Sequence, residues 1–94
     1  MKNKEYNRAY RTASEIYREI VGDPELKNYR VVIIGTPGPT GKTTLCKLLI
    51  NAGVNAIDIS ESLDSHVAYL YPNDNDIDID RQNKSILVVL NRLR

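Results

Sequence analysis

Val31-Val32-Ile33-Ile34-Gly35-Thr36-Pro37-Gly38-Pro39-Thr40-Gly41-Lys42-Thr43-Thr44 joins an apolar run to a turn rich in glycine and proline and then to the start of a helical pattern. Residues 30 to 34 read as a strand whose side chains at 31 to 34 are all β-branched and apolar, the pattern of a strand buried on both faces within a parallel sheet. Past the turn, Leu45, Leu48, Leu49 and Ala52 recur at helical spacing over residues 42 to 52, and Gly53 supplies the stop. A strand, a loop and a helix in that order are the core of an α/β unit.

Working outward from this stretch gives the rest of the architecture. Upstream, Tyr6, Ala9, Tyr10, Ala13, Ile16, Tyr17, Ile20 and Val21 recur at steps of three and four, so residues 4 to 21 read as one amphipathic leading helix. Gly22 and Asp23-Pro24 end it. Its tyrosines could stack on bases or on a partner, but packing onto the rest of the domain is the simpler use of such a stripe. Downstream, Asn55 to Ser60 reads as a second short strand. Ser60-Glu61-Ser62-Leu63 can cap a third helix running toward Tyr71, which Pro72 ends. Ser85-Ile86-Leu87-Val88-Val89-Leu90 is a third apolar run of strand length.

The alternation of helices and strands predicts one α/β domain over residues 1 to 94. Residues 1 to 22 form the leading helix and residues 30 to 94 a small three-layer α/β core with a short parallel sheet and right-handed crossovers. A sheet of three parallel strands leaves apolar edges and faces to cover, so self-association or a partner subunit is expected to complete it.

Composition narrows the class. Ninety-four residues with 41% apolar content suit one small domain, near the size at which a single core is only marginally sufficient. One cysteine, Cys46, excludes an intrachain disulfide and points to a reducing, intracellular setting; a cytoplasmic location is expected. No apolar run approaches the roughly 18 residues of a membrane span, and the amino-terminal residues are too charged for a secretory signal. The net charge of +1 hides three blocks, +4 over residues 1 to 47, −7 over 48 to 80 and +4 over 81 to 94. Blocks of opposite sign that can face each other do not indicate a nucleic-acid surface.

The chemistry-bearing residues sit in the turn. Binding phosphate between a strand and a helix needs backbone N–H groups aimed inward, glycines that allow close approach, and a helix start whose dipole favours negative charge. Gly35, Thr36, Gly38, Thr40, Gly41, Lys42, Thr43 and Thr44 are the candidates; Pro37 and Pro39 have no N–H to offer. A lysine placed like Lys42 reaches the β and γ phosphates, and a hydroxyl placed like Thr43 holds magnesium. The usual pattern puts four residues between its first glycine and the glycine before lysine, whereas Gly35 and Gly41 enclose five. One residue spans up to about 3.5 Å, so only the second half, Thr40 to Thr44, can overlay a standard cradle. A plain tight turn followed by an ordinary first helical turn is the competing reading.

With these residues in view, the stretch resembles the P-loop nucleoside triphosphatases. Gly35-Thr36-Pro37-Gly38 with Gly41-Lys42-Thr43-Thr44 is similar to the loop of small adenylate-kinase-like enzymes, Gly-Thr-Pro-Gly-x-Gly-Lys-Thr-Thr, once Pro39 or Thr40 is treated as an insertion. Dethiobiotin-synthetase-like ligases carry Gly-Thr, four residues and Gly-Lys-Thr, the spacing from Gly35 to Thr43 without a gap. The resemblance covers residues 31 to 60. It implies ATP or GTP as ligand, magnesium as cofactor, and phosphoryl transfer or hydrolysis with Lys42 as the catalytic lysine. It equally admits a nucleotide-binding module without catalysis, complete only as part of a larger protein or assembly. An arginine-bearing lid, a base pocket and further strands, all expected of a nucleoside monophosphate kinase, have no counterpart in the sequence.

Other candidates weigh less. P-loop enzymes place an aspartate at the end of a neighbouring strand to hold the metal through water; here the third run ends Leu90-Asn91, an amide, and Asp58 after the second run is the alternative metal-site carboxylate. Asp74, Asp76, Asp78 and Asp80 alternate with Asn75, Ile77 and Ile79, but a calcium loop begun at Asp74 would need glycine and glutamate where Ile79 and Ser85 stand. A short edge strand, isoleucines inward and aspartates in water, is the better reading. Arg81, Arg92 and Arg94 could supply positive charge to a transferring phosphoryl group, but surface charge is the better reading of each; His66 lacks ligating neighbours, and Cys46 is expected to be buried and inert.

Overall fold

A computed structural model describes residues 12–35, 41–59 and 76–91. Among these residues two α-helices and four strands follow one another as α1 (Ala13–Gly22), β1 (Arg30–Gly35), α2 (Lys42–Asn51), β2 (Asn55–Asp58), β3 (Asp76–Asp80) and β4 (Ser85–Leu90), with a 3-10 turn at Leu26–Asn28 ahead of β1. The fold is a small α/β domain with one four-stranded mixed sheet. Among the described residues no helix is long and apolar enough to cross a membrane.

The strand order is β2-β1-β4-β3. β1 runs parallel to β2 on one side, Arg30 opposite Asn55, and parallel to β4 on the other, Arg30 opposite Ser85 and Gly35 opposite Leu90. β3 pairs antiparallel with β4, Ile77 opposite Val88. The expected all-parallel sheet is thereby corrected. The segment after Pro72 does enter the sheet, but the tight turn at 81–84 returns the chain directly into β4, and only an antiparallel pair can be joined so closely. The edge-strand reading of the alternating aspartates holds, with Ile77 buried, Ile79 half-buried, and Asp78 and Asp80 exposed. Short length and outward charge are how edge strands avoid further pairing.

Alternation along the strands divides the sheet into two faces. Val31, Ile33, Ile77, Ile86, Val88 and Leu90 share one core with Ile16 and Ile20 of α1 and Leu45 and Leu49 of α2. Ile34 and Val89, flanked by Val32, Leu87 and Ile59, form a second, smaller cluster on the other face. Both described helices therefore pack on one side of the sheet. The expected third helix of residues 60–71, His66 within it, lies outside the described residues.

Helix α1 begins later than its apolar stripe predicts. Thr12 is extended (φ −80°, ψ 162°), so the helix cannot run back through it, and Tyr6, Ala9 and Tyr10 lie outside the described residues. The cause is legible as Thr12-x-x-Glu15. The Thr12 hydroxyl accepts from the Glu15 amide at 3.2 Å, and the Glu15 carboxylate accepts from the Thr12 amide at 2.9 Å. Two N–H groups at the helix start thus find partners in a reciprocal capping box. At the other end Gly22 closes α1 as expected, ahead of Asp23-Pro24.

Candidate functional site

Three carboxyl ends and one helix start meet at the top of the sheet. Because β1, β2 and β4 are parallel, Gly35, Asp58 and Leu90-Asn91 all lie toward that end, and α2 begins where the turn after β1 delivers the chain. The chain passes from β1 to β2 on one side and meets β4 on the other, so strand order reverses between β1 and β4. In open α/β sheets, the crevice outside the carboxyl ends at such a reversal is where ligands bind.

Gly35 has a structural reason to be glycine. A Cβ built on it would stand 1.9 Å from the Leu90 carbonyl oxygen, a backbone atom that cannot swing away. The residue lets β1 and β4 stay paired up to their last residues, a role the sequence reading missed and that no spacing signals. Gly41 is glycine for a different reason: its φ of 89° lies in the left-handed region. A Cβ there would meet the Ala13 Cβ at an ordinary 3.5 Å. The same measurement shows that the starts of α1 and α2 adjoin.

The start of α2 has no side-chain cap and no acidic residue in its first turn, and its first helical residue is the half-buried Lys42. Thr43 and Thr44 follow, both exposed. The first turn of any α-helix has N–H groups without an intrahelical acceptor, and its dipole disfavours a cation by roughly 0.3–1 kcal/mol. The start of α1, by contrast, carries a threonine cap and a glutamate in its first turn. Thr36, Gly38 and Thr40, with Pro37 and Pro39, lie outside the described residues.

Asn91 is 1% exposed and follows directly on β4, beside the strand that feeds the loop. It takes the place at which a metal-holding carboxylate was sought. Asp58 pairs in register with Ile33, two residues before β1 ends, and its side chain is exposed on the edge strand. Its charge bears on Cys46, whose thiol is pushed up first by burial and second by Asp58. Cys46 is buried and its Sγ donates to the Ala56 carbonyl at 3.6 Å, so the thiol stays protonated, as an inert core cysteine does.

Magnesium, the ion implied by the resemblance, finds a poor donor set here. Thr43 offers a neutral hydroxyl, Asn91 a neutral amide, and Asp58 pairs with Ile33, two residues short of Gly35, with its side chain exposed. Among the described residues no three of His, Cys, Asp and Glu stand together as a metal site. Hard divalent cations take charged oxygen ligands where the protein holds them.

Arg81 belongs to the opposite end of the sheet. It pairs with Glu25, which also accepts from the Tyr29 hydroxyl at 2.7 Å. Tyr29 is nearly buried, and the Glu25 hydrogen bond, followed by burial, raises its pKa above the ordinary tyrosine value. Together they tie the residues before β1 to the β3–β4 turn, where the Arg30 amide also donates to the Lys84 carbonyl at 3.0 Å. Arg81 is thereby excluded as an arginine for the loop; Arg92 and Arg94 lie outside the described residues. Compared with known proteins, the chain matches no family model, no curated protein and no solved structure.

Proposed function

We propose that this chain is a nucleotide-binding module. It holds the phosphates of a nucleoside triphosphate, ATP or GTP, at the loop from Gly35 to Thr44, with Lys42 on the phosphates. The observation that carries this reading is the contrast between the two adjoining helix starts. α1 is closed by its own Thr12 and Glu15, while α2 begins with a left-handed glycine and a lysine at the carboxyl end of a parallel strand. Anions bind at such starts through backbone N–H groups and the helix dipole. Phosphoryl transfer has weaker support, because the residue at the end of β4 is an amide.

The test is equilibrium titration of the chain with ATP and GTP, beside Lys42→Ala, with phosphate release followed in the same samples. Binding by the parent chain that falls at least about tenfold in Lys42→Ala supports the reading, since charge-assisted contacts to phosphate are among the strong ones. Binding unaffected by the substitution places the ligand elsewhere. Sustained phosphate release would favour the enzyme over the module.

A second observation favours assembly. Among the described residues β2 pairs only with β1 and β3 only with β4, and Ile57 on the β2 edge is 47% exposed. A second copy or a partner subunit adding to the β2 edge would cover it. Sedimentation of the parent chain against Ile57→Lys reads this out: a complex that the lysine dissociates supports it, and a monomer under both conditions overturns it for self-association.

A further inference from the structure

We propose that a second copy of this chain pairs with β2 antiparallel, with Ile57 facing itself across a two-fold axis. The inference rests on the assembly reading of the β2 edge and names its occupant and register. The Ile59 amide donates to the Ile33 carbonyl at 2.9 Å, within the parallel pairing that sets Ile33 opposite Asp58. Backbone groups alternate in direction along a strand, so Ile57 turns its N–H and C=O toward β1 as Ile59 does, and Ala56 and Asp58 turn theirs to the outer edge. The Ala56 carbonyl accepts the Cys46 thiol at 3.6 Å, a weak contact that leaves it a second lone pair. Asn55, Ile57 and Asp58 are exposed, so the edge is accessible to another strand. The far edge of the sheet is guarded, because β3 exposes Asp78 and Asp80, and like charges set opposite each other across strands are destabilising. β2 carries one acid, at its last residue, and neither lysine nor proline.

The same backbone pattern selects the register. Centred on Asp58, the pairing would oppose two carboxylates. Centred on Ala56, it would set Ile57 against Asn55 and Asp58 against Val54, whose amide is already held by the Leu49 carbonyl at 2.9 Å. Centred on Ile57, it sets isoleucine on isoleucine and Ala56 opposite Asp58 of the second copy. Each Ala56–Asp58 pair then exchanges two N–H···O bonds, and these flank the closer, non-hydrogen-bonded isoleucine pair. The two sheets become one, with the helices of both copies on the same face.

The experiment oxidises the parent chain, Ile57→Cys and Asn55→Cys and reads the disulfide-linked dimer on a non-reducing gel, with sedimentation of the parent and Ile57→Lys alongside. Ile57→Cys is expected to link at least about tenfold faster than Asn55→Cys: across the axis the Cα atoms at position 57 stand about 4.5 Å apart and those at position 55 about 14 Å, and a disulfide needs less than about 7 Å. The parent chain, whose Cys46 is buried, is expected to stay unlinked. Equal rates for the two variants overturn the register, while a parent complex that Ile57→Lys dissociates leaves the assembly reading standing. A parent chain that sediments as a monomer, with neither variant linking, overturns both. Should the cysteine variants fail to fold, by circular dichroism, amide exchange of the parent carries the comparison. The Ala56 and Asp58 amides must gain protection as chain concentration rises, and exchange that does not change with concentration overturns the pairing.

Discussion

Helix α1 begins on an extended threonine whose hydroxyl and third-following glutamate close the helix start reciprocally. Helix α2 begins beside it on a left-handed glycine, with lysine first and no acid in its opening turn. Two starts of equal length and shared core thus answer the same electrostatic problem in opposite ways. The first start is closed by its own side chains; the second has no side-chain cap hydrogen bond at Gly41. The same molecule supplies its own control.

The largest break in this comparison is Gly35→Ala. Its Cβ would collide with the Leu90 carbonyl, so β1 and β4 must separate at the end that supports the start of α2. A loss of about 4 kcal/mol or outright unfolding is expected, read from urea denaturation. Lys42→Ala sharpens the comparison by separating function from stability. It should weaken nucleotide binding at least about tenfold, while the unfolding free energy stays within about 0.5 kcal/mol, because removing a cation from a helix start offsets what its packing loses. Thr12→Ala should do the reverse, costing about 1 kcal/mol of stability with nucleotide affinity unchanged.

The smallest effect is expected at the β3–β4 turn, which resembles α1 in closing on itself. The Asp80 carboxylate accepts from the Asn83 side chain at 2.7 Å and from its amide at 3.1 Å, and these bonds, the side-chain bond first, hold its pKa below the ordinary carboxylate value. A carboxylate held low in the folded chain stabilises it fully above its unfolded pKa of about 3.9, and that contribution is lost as pH falls through the lowered folded value. Faster amide exchange at Asn83, relative to Asp80→Asn, as pH drops below about 4 would show it, once each rate is referred to the intrinsic exchange rate at that pH.

Much of the fold was legible because it follows from local pattern. The β-branched run of β1, the leucine spacing of α2, the apolar run of β4 and the glycine stops all act within one element and reappear near their expected bounds. The aspartate–isoleucine alternation even gave the correct face of β3. Strand direction was not legible, since it depends on how chain segments distant in sequence meet. The start of α1 could have been read from Thr12-x-x-Glu15, but the longer apolar stripe outweighed it.

For the candidate site, Gly41, Lys42, Thr43 and Thr44 lie at the head of α2 as the spacing implied. Asp58 is the last residue of β2, and the β1–β2 register, which the sequence does not carry, sets it opposite Ile33. The reason for Gly35 was hidden altogether, because the atom that forbids a side chain there belongs to Leu90, across the sheet.

The pairing of β1 with β4 also decides how the chain reaches this structure. Strand, helix and strand from Arg30 to Asp58 form one unit close in sequence, and the hairpin from Asp76 to Leu90 forms another. Among the described residues the strand pairing that joins them runs from Arg30 with Ser85 to Gly35 with Leu90, across more than half of the chain. Closing so long a loop costs entropy before any contact rewards it, which makes such pairings slow. The central seam of the sheet is therefore the last to close, and the candidate site, which lies at its upper end, exists only once the two halves have met.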